Sequence, residues 1–399
     1  MPWKETRVMD TRLELVRFVE EGSSIADAAR QFGVSRKTAH KWLERFEVQG
    51  AVGLLDLSRR PHSSPSALGD AVIERILSLK VAFPTWGPRK LRDWLLLHES
   101  ATPWPAASTI GALLKERGLT VNRRRKRSVH PRSEPLAHCD ACNRVWCVDF
   151  KGWFLTGDGV RCDPLTMTDG HSRFLLCLQA LAHPTHAAVQ PWFDAVFREF
   201  GLPTAIRSDN GVPFAATAGL GLSRLSTWWI DLGITPERID KGKPQQNGRH
   251  ERMHRTLKAD TLKPPAATLR QQQAVFERFR DVYNSERPHE ALGNKPPASV
   301  YQPSAKAYPT PIRPPEYDSD ATVCRVYDKG SFCYQGRSYF LADVLGGKQI
   351  ALVPSPDDKQ LDIYYRHVRI ALLDLEHRQL RPAPKRKKEA LKGEEQEKK

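Results

Sequence analysis

Three carboxylates carry most of the chemical signal in this sequence: Asp149, Asp209 and Glu251. Asp149 interrupts the apolar run WCVDFKGW. A charge inside a strand is seldom buried unless it is paired or holds a metal. Taken alone, an Asp at a strand edge or strand end explains it as well. Asp209 stands in IRSDNGVPF, at the end of a short apolar stretch. Asn-Gly is a common tight-turn pair, so DNG by itself reads as a turn. Strand ends are also where α/β sheets place functional groups. Glu251 lies in KGKPQQNGRHERMHRTLK, where Asn247, Glu251, Arg255 and Lys258 recur at helical spacing. One helical face would then carry a carboxylate, two cations and an amide, a set suited to a metal and a phosphate. A solvated helix with incidental ion pairs would look the same.

Jointly the three carboxylates mean more. Displacement at a DNA phosphodiester uses two hard cations, one activating the attacking oxygen and one stabilising the leaving oxygen. Hard cations take carboxylate oxygens. Three carboxylates gathered without a cation would repel and raise one another's pKa. Such an arrangement makes sense chiefly with a metal present.

The elements that must position them can be read from the pattern. From Asn143 onward, RVWCVDFKGWFL, GVRCDPLTMTD and RFLLCLQALA are strand-like runs separated by short turns. The helix HAAVQPWFDAVFREFG follows, then the short strand TAIRSD and a helix around Leu222 to Leu232. A strand near Ile234 and helices over 246–259 and 269–285 complete the segment. Such alternation indicates an α/β domain over 143–305. Ahead of it, SSIADAARQFGVSRKTAHKWLERF has small Ala28 and Ala29 before Gly33, the register of a helix–turn–helix within 1–57. Arg36, Lys37, His40 and Lys41 fall on the first turns of its second helix, where base edges and phosphates are met. A second helical unit spans 67–122: Pro88 opens one helix, and Ser108-Thr109 begins another that Gly118 stops. The run Arg123, Arg124, Arg125 and Lys126 lies in a basic linker, 123–142, suited to tracking phosphates. Short strands over 320–378, with Gln335-Gly336 as a hairpin signal, read as a small β-barrel or sandwich. The tail, 379–399, is charged and lacks aromatics, a disordered composition.

Charge agrees with this plan. Lys and Arg number 62 against 46 Asp and Glu, a net charge of +16, and more than half of the excess precedes residue 135. Nucleic acid is the partner that such a balance favours. No apolar run approaches the ~18 residues of a membrane span, so no membrane role is expected. Seven scattered Cys suit a reducing cytosol.

The order Asp149 in a first strand, SDNG at Asp209, and P-x-x-N-G-x-x-E from Pro244 to Glu251 resembles the retroviral-integrase-type core of bacterial insertion-sequence transposases. The likeness continues into YNSERPHEAL and KPPASVY, and covers roughly Ser24 to Gln302. It implies a multidomain chain: helix–turn–helix N-terminal domains, a ribonuclease-H-like α/β core with Asp149, Asp209 and Glu251 as its catalytic, metal-binding triad, and a small C-terminal β-barrel. It further implies an enzyme that cleaves and transfers DNA strands with Mg²⁺, Mn²⁺ being possible. Double-stranded DNA would be the partner, as element ends and target. The chain would act as a homo-oligomer on that DNA, in a bacterial, nucleoid-associated cytoplasmic setting. One departure stands out: 41 residues separate Asp209 from Glu251, more than the family's usual spacing, with the surplus expected as a loop in AATAGLGLSRLS.

Other signals are bland. Cys139 and Cys142 have zinc-type spacing, with His138 before them but no second ligand pair, so no zinc is expected. Trp228 and Trp229 read as core, His250 as either a substrate neighbour or a solvated residue, and Arg287 and His289 as packing or backbone contacts. Two other functions fit parts of the chain: a transposase-derived regulator without activity, and a ribonuclease H or junction nuclease. The triad's motif surroundings speak against the first, and the helix–turn–helix front end against the second.

Overall fold

The structure, a computed structural model, describes residues 8–57, 68–120, 139–216, 220–240, 244–355 and 359–383. The chain forms two compact units, Met1–Gly69 and Asp70–Lys399. The first consists of α1 (Val8–Glu20), α2 (Ile25–Gln31) and α3 (Arg36–Gln49). Ser24 and Ser35 cap α2 and α3, their hydroxyls accepting the Asp27 and Thr38 amide hydrogens. Each such cap contributes about 1 kcal/mol. Between the helices Gly33 takes φ +63°, a left-handed turn that costs glycine little. Ala28, Ala29 and Ala39 pack with Leu15, while Trp42 packs with Val16 and Leu54. Small side chains let the helices approach, which fixes α3 with its opposite face outward.

In the second unit α4 (Asp70–Ala82), α5 (Pro88–His98) and α6 (Ala107–Glu116) share a core of Ile76, Leu79, Trp86, Leu91, Leu95 and Ile110, among others. Helix α4 adds to the expected pair, and α6 starts one residue before Ser108, capped by Ala106 without a side-chain bond.

The α/β portion follows as β1 (Val145–Phe150), β2 (Phe154–Leu155), β3 (Arg161–Asp169), β4 (Leu175–Leu181), α7 (His186–Phe200), β5 (Ala205–Ser208), α8 (Arg224–Asp231), β6 (Thr235–Arg238), α9 (Gly248–Thr261) and α10 (Leu269–Asp281). One mixed sheet runs β2-β3-β1-β5-β6, with β4 also on β3. Pairing is antiparallel from β1 through β3 to β4 and parallel from β1 through β5 to β6. Alternation along β1 sends Trp146 and Val148 into a core with Val189, Phe193 and Phe197 of α7 and Trp229 of α8. The other face of the sheet meets Met253 and Leu257 of α9 and Phe276 and Phe279 of α10, through Cys162, Leu175 and Leu178. Cys147 and Asp149, out of phase with Trp146 and Val148, face that second layer.

Beyond it lie β7 (Thr322–Arg325), β8 (Ser331–Tyr334), β9 (Arg337–Phe340), β10 (Gln349–Pro354), β11 (Gln360–Tyr365), β12 (Val368–Asp374) and β13 (Gln379–Pro382). The expected turn between β8 and β9 is present, with Gln335 and Gly336 both at positive φ. Among the described residues the strands pair as an open path, β13-β12-β11-β10-β7, plus the β8-β9 hairpin. That falls short of the closed barrel expected, because no hydrogen bonds join the two end strands. Leu222 and Ile230 of the α/β portion enter this β core. Asp231, at the end of α8, pairs with Lys348 at 2.8 Å and Arg366 at 3.0 Å and accepts a hydrogen bond from Tyr365. The surplus between Asp209 and Glu251 thus includes a docking point, Leu222, and is more than a loop. No helix among the described residues is long and apolar enough to cross a membrane.

Candidate functional site

Parallel pairing of β1 with β5 matches Val145, Trp146 and Cys147 to Ala205, Ile206 and Arg207. Asp149 lies two residues beyond Cys147 on β1, and Asp209 two residues beyond Arg207, just past the end of the neighbouring β5. Asp209 begins the turn after β5, where its Oδ1 accepts the Gly211 amide hydrogen at 3.0 Å. A Cβ at Gly211 would stand 3.0 Å from the Asp209 carboxylate, so glycine keeps that oxygen clear. Glu251 is in the first turn of α9, where the positive end of the helix dipole favours a carboxylate. Helix α9 packs against β1.

The charges of the three residues are felt at Asp149. Burial first, then the Asp209 carboxylate and, more weakly, the Glu251 carboxylate push its pKa up to about 7; a main-chain hydrogen bond at Phe150 and Lys151 pull the other way. Asp209 and Glu251 thus lie near enough for their charges to act on Asp149, from a strand end and a helix, while the ligand atoms within 4.8 Å of one another are those of Asp149, His250 and His254.

Behind Asp149 lies a polar cluster that sequence spacing did not suggest. Asp149 pairs across the sheet with Thr166. The Thr166 hydroxyl donates to the Asp149 carbonyl at 2.8 Å and meets His250 Nε2 at 2.6 Å and His254 Nε2 at 2.8 Å. His250 Nδ1 lies 2.8 Å from the Thr168 hydroxyl. His254 Nδ1 is 4.0 Å from Asp149 Oδ2. Burial lowers both imidazoles, His250 to about 3 and His254 to about 2, the second helped by Lys151 and by His250 itself. Both are uncharged at neutral pH. His250 is thus neither solvated nor at a substrate surface; it is a buried strut. The signal that could have found the pair was their i, i+4 spacing opposite the basic face of α9.

The remaining expected residues divide. Arg36, Lys37, His40 and Lys41 are all exposed on α3, and Lys41 lies over the Trp42 ring at 4.8 Å. Glu251, Arg255 and Lys258 share exposure on α9, but Asn247 does not. Asn247 precedes the helix, is 4% exposed and keeps an unpartnered buried Oδ1, so it is removed from the face assigned to phosphates. Arg123, Arg124, Arg125 and Lys126 lie outside the described residues. Trp228 and Trp229 pack on Phe197 and Phe193 in the core. Arg287 is largely but not fully buried and pairs with Asp260 of α9 at 3.6 Å, and the His289 ring stands edge-on to Tyr283. Cys142 Sγ lies 3.5 Å from the Val300 carbonyl, and a Cβ at Gly170 would press on Cys139 Sγ.

Family comparisons fit this layout. Two integrase core domain models match residues 140–244 and 232–297. A helix-turn-helix domain model matches 11–62 and a homeodomain-like domain model 38–114. An uncharacterized 31.7 kDa protein of insertion element IS407 from Burkholderia multivorans is 33% identical over 47% of this chain and 65% of its own length. An uncharacterized 39.2 kDa protein of insertion element IS476 from Xanthomonas euvesicatoria is 28% identical over 69% of this chain and 78% of its own. The chain thus carries segments that match integrase core models, preceded by segments that match helix–turn–helix models. An integrase core is the core of a polynucleotidyl-transferase type of enzyme, and helix–turn–helix domains bind DNA. Among solved structures, the HTLV-2 integrase catalytic core in complex with magnesium aligns over 41% of this chain and 98% of its own, at 14% identity and a TM-score of 0.33. The chain thus spans just under two thirds of the IS407 protein it matches.

Proposed function

We propose that this chain is a DNA transposase that binds the ends of its element and cuts and joins DNA strands at Asp149, Asp209 and Glu251. One observation carries the reading: burial, joined by the Asp209 carboxylate and more weakly by that of Glu251, drives the Asp149 carboxyl up to about 7. Gathered like charges of this kind are relieved by a cation, and an all-carboxylate set fits a hard divalent ion such as Mg²⁺, with Mn²⁺ as an alternative. Bound there, two such ions would activate the attacking oxygen and stabilise the leaving one. The carboxylates hold their places through the sheet register, the Asp209 turn and the start of α9. Arg255 and Lys258, exposed on α9, are placed to meet backbone phosphates. Residues 1–57, with Arg36, Lys37, His40 and Lys41, would read element ends, helped by 67–122 and the basic 123–142. Assembly on DNA as a homo-oligomer would bring two ends together, while residues 379–382, expected in the tail, instead form β13 on the β domain.

The test is strand cleavage and joining on DNA carrying the terminal repeats that flank the gene, with Mg²⁺ or Mn²⁺. Activity that needs the metal and all three carboxylates is expected. Cleavage without metal, or end binding by an inactive wild type, would overturn the reading, the second in favour of a regulator.

A further inference from the structure

We infer that His254 is a fourth donor at the Asp149 site, making one cation position a mixed nitrogen–oxygen one that holds Mn²⁺ in preference to Mg²⁺. The inference rests on the metal-site reading above. It follows from counting protons around Thr166. A hydroxyl has one proton to give and two lone pairs to accept with. Of the three groups around Thr166 Oγ1, the Asp149 carbonyl at 2.8 Å can only accept, so the proton goes there. His250 Nε2 at 2.6 Å and His254 Nε2 at 2.8 Å must then both donate. With its proton on Nε2, His250 accepts at Nδ1 from the Thr168 hydroxyl at 2.8 Å. Both its nitrogens are used inside the protein.

His254 differs. Its proton is also fixed on Nε2, which leaves a lone pair on Nδ1, and among the described residues no donor hydrogen-bonds to it. That nitrogen faces Asp149 Oδ2 at 4.0 Å, in a side chain only 8% exposed. Two acceptors facing each other repel, whereas a cation roughly 2.0–2.2 Å from each would bridge them. Asp149, His250 and His254 offer ligand atoms within 4.8 Å of one another, and the proton count reduces that trio to Asp149 and His254. Mg²⁺ keeps to oxygen ligands and its own waters. An imidazole nitrogen suits first-row transition ions better.

Mn²⁺ serves as the probe, bound to the full chain and read by pulsed EPR. Nitrogen-14 modulation from a coordinated imidazole is expected, and it should vanish in His254→Gln, which can still donate to Thr166 but lacks Nδ1. Competition with Mg²⁺ should show the preference for Mn²⁺ falling about tenfold or more in that variant. If His254→Gln melts early, His254→Asn provides an oxygen near Nδ1 and should bind Mn²⁺ without the nitrogen signal. Mn²⁺ that requires Asp149 and Asp209 yet shows no nitrogen modulation in the wild type overturns this inference alone. Mn²⁺ binding unchanged by Asp149→Asn and Asp209→Asn overturns the metal-site reading, and the inference with it.

Discussion

Asp149 bears the cost of burial beside other carboxylates. Its folded pKa of about 7 lies above the 3.8 of an unperturbed Asp. Between those values the folded chain holds a proton that the unfolded chain has lost. The stabilisation belongs to the protonated form, is complete below about pH 4, and is lost as pH rises towards 7. Asp149→Asn cannot ionise and escapes that loss. Without metal the variant should melt above the wild type at pH 8, with the gap closing near pH 4. Saturating Mg²⁺ should raise the wild-type Tm and leave the variant's almost unmoved. A metal-free variant that melts below the wild type at pH 8 would count against repulsion at this site.

Elements were legible where a period repeats, and less so at their ends. Strands β1, β3 and β4 and helices α7, α9 and α10 follow runs visible in the sequence, because each buries a continuous face. Asn247 shows the limit. Projection at helical spacing placed it beside Glu251, but it belongs to the 3₁₀ turn Pro244–Asn247 before α9, where that spacing does not hold, and it turns inward. The His250–His254 pair is not legible in the sequence because the part a buried polar side chain plays depends on what stands opposite, here Thr166 and Thr168 of β3. For α3 the sequence sufficed, since Ser35, Ala39 and Trp42 set which face is hidden. Ser35→Ala should cost about 1 kcal/mol of unfolding free energy in denaturant titrations. On the exposed face, Arg36→Ala should weaken binding to element ends by about 1–3 kcal/mol if it reads a base. Lys41→Ala should lower the slope of log K against log salt by about one, for all sequences alike, if it meets a phosphate. Gel-shift titrations with unchanged affinity and salt slope for both variants would remove α3 from the interface.

At the scale of the whole molecule, the YNSERPHEAL segment ties the second helical group to α9. Trp94 Nε1 donates to Glu286 at 2.6 Å, Lys90 donates to the Pro288 carbonyl, and Arg287 reaches Asp260 on the same helix as Glu251. Burial and the nearby Arg287 lower Lys90 to about 8, the mark of a cation drawn into a joint. Glu286→Ala should therefore loosen α5 from the core, raising amide exchange in α5 several-fold while β1 and β5 stay protected. Equal protection in variant and wild type would mean that the joint is held by apolar contacts alone.

The central claim is that Asp149, Asp209 and Glu251 act as one unit on DNA. Strand cleavage and joining should be measured on element-end DNA with Mg²⁺ or Mn²⁺, comparing the wild type with Asp149→Asn, Asp209→Asn, Glu251→Gln and their pairwise doubles. Each single change should lower the rate by roughly a hundredfold or more, doubles should cost little beyond that, and end binding should survive in all. Full activity in any one of the single variants would contradict it.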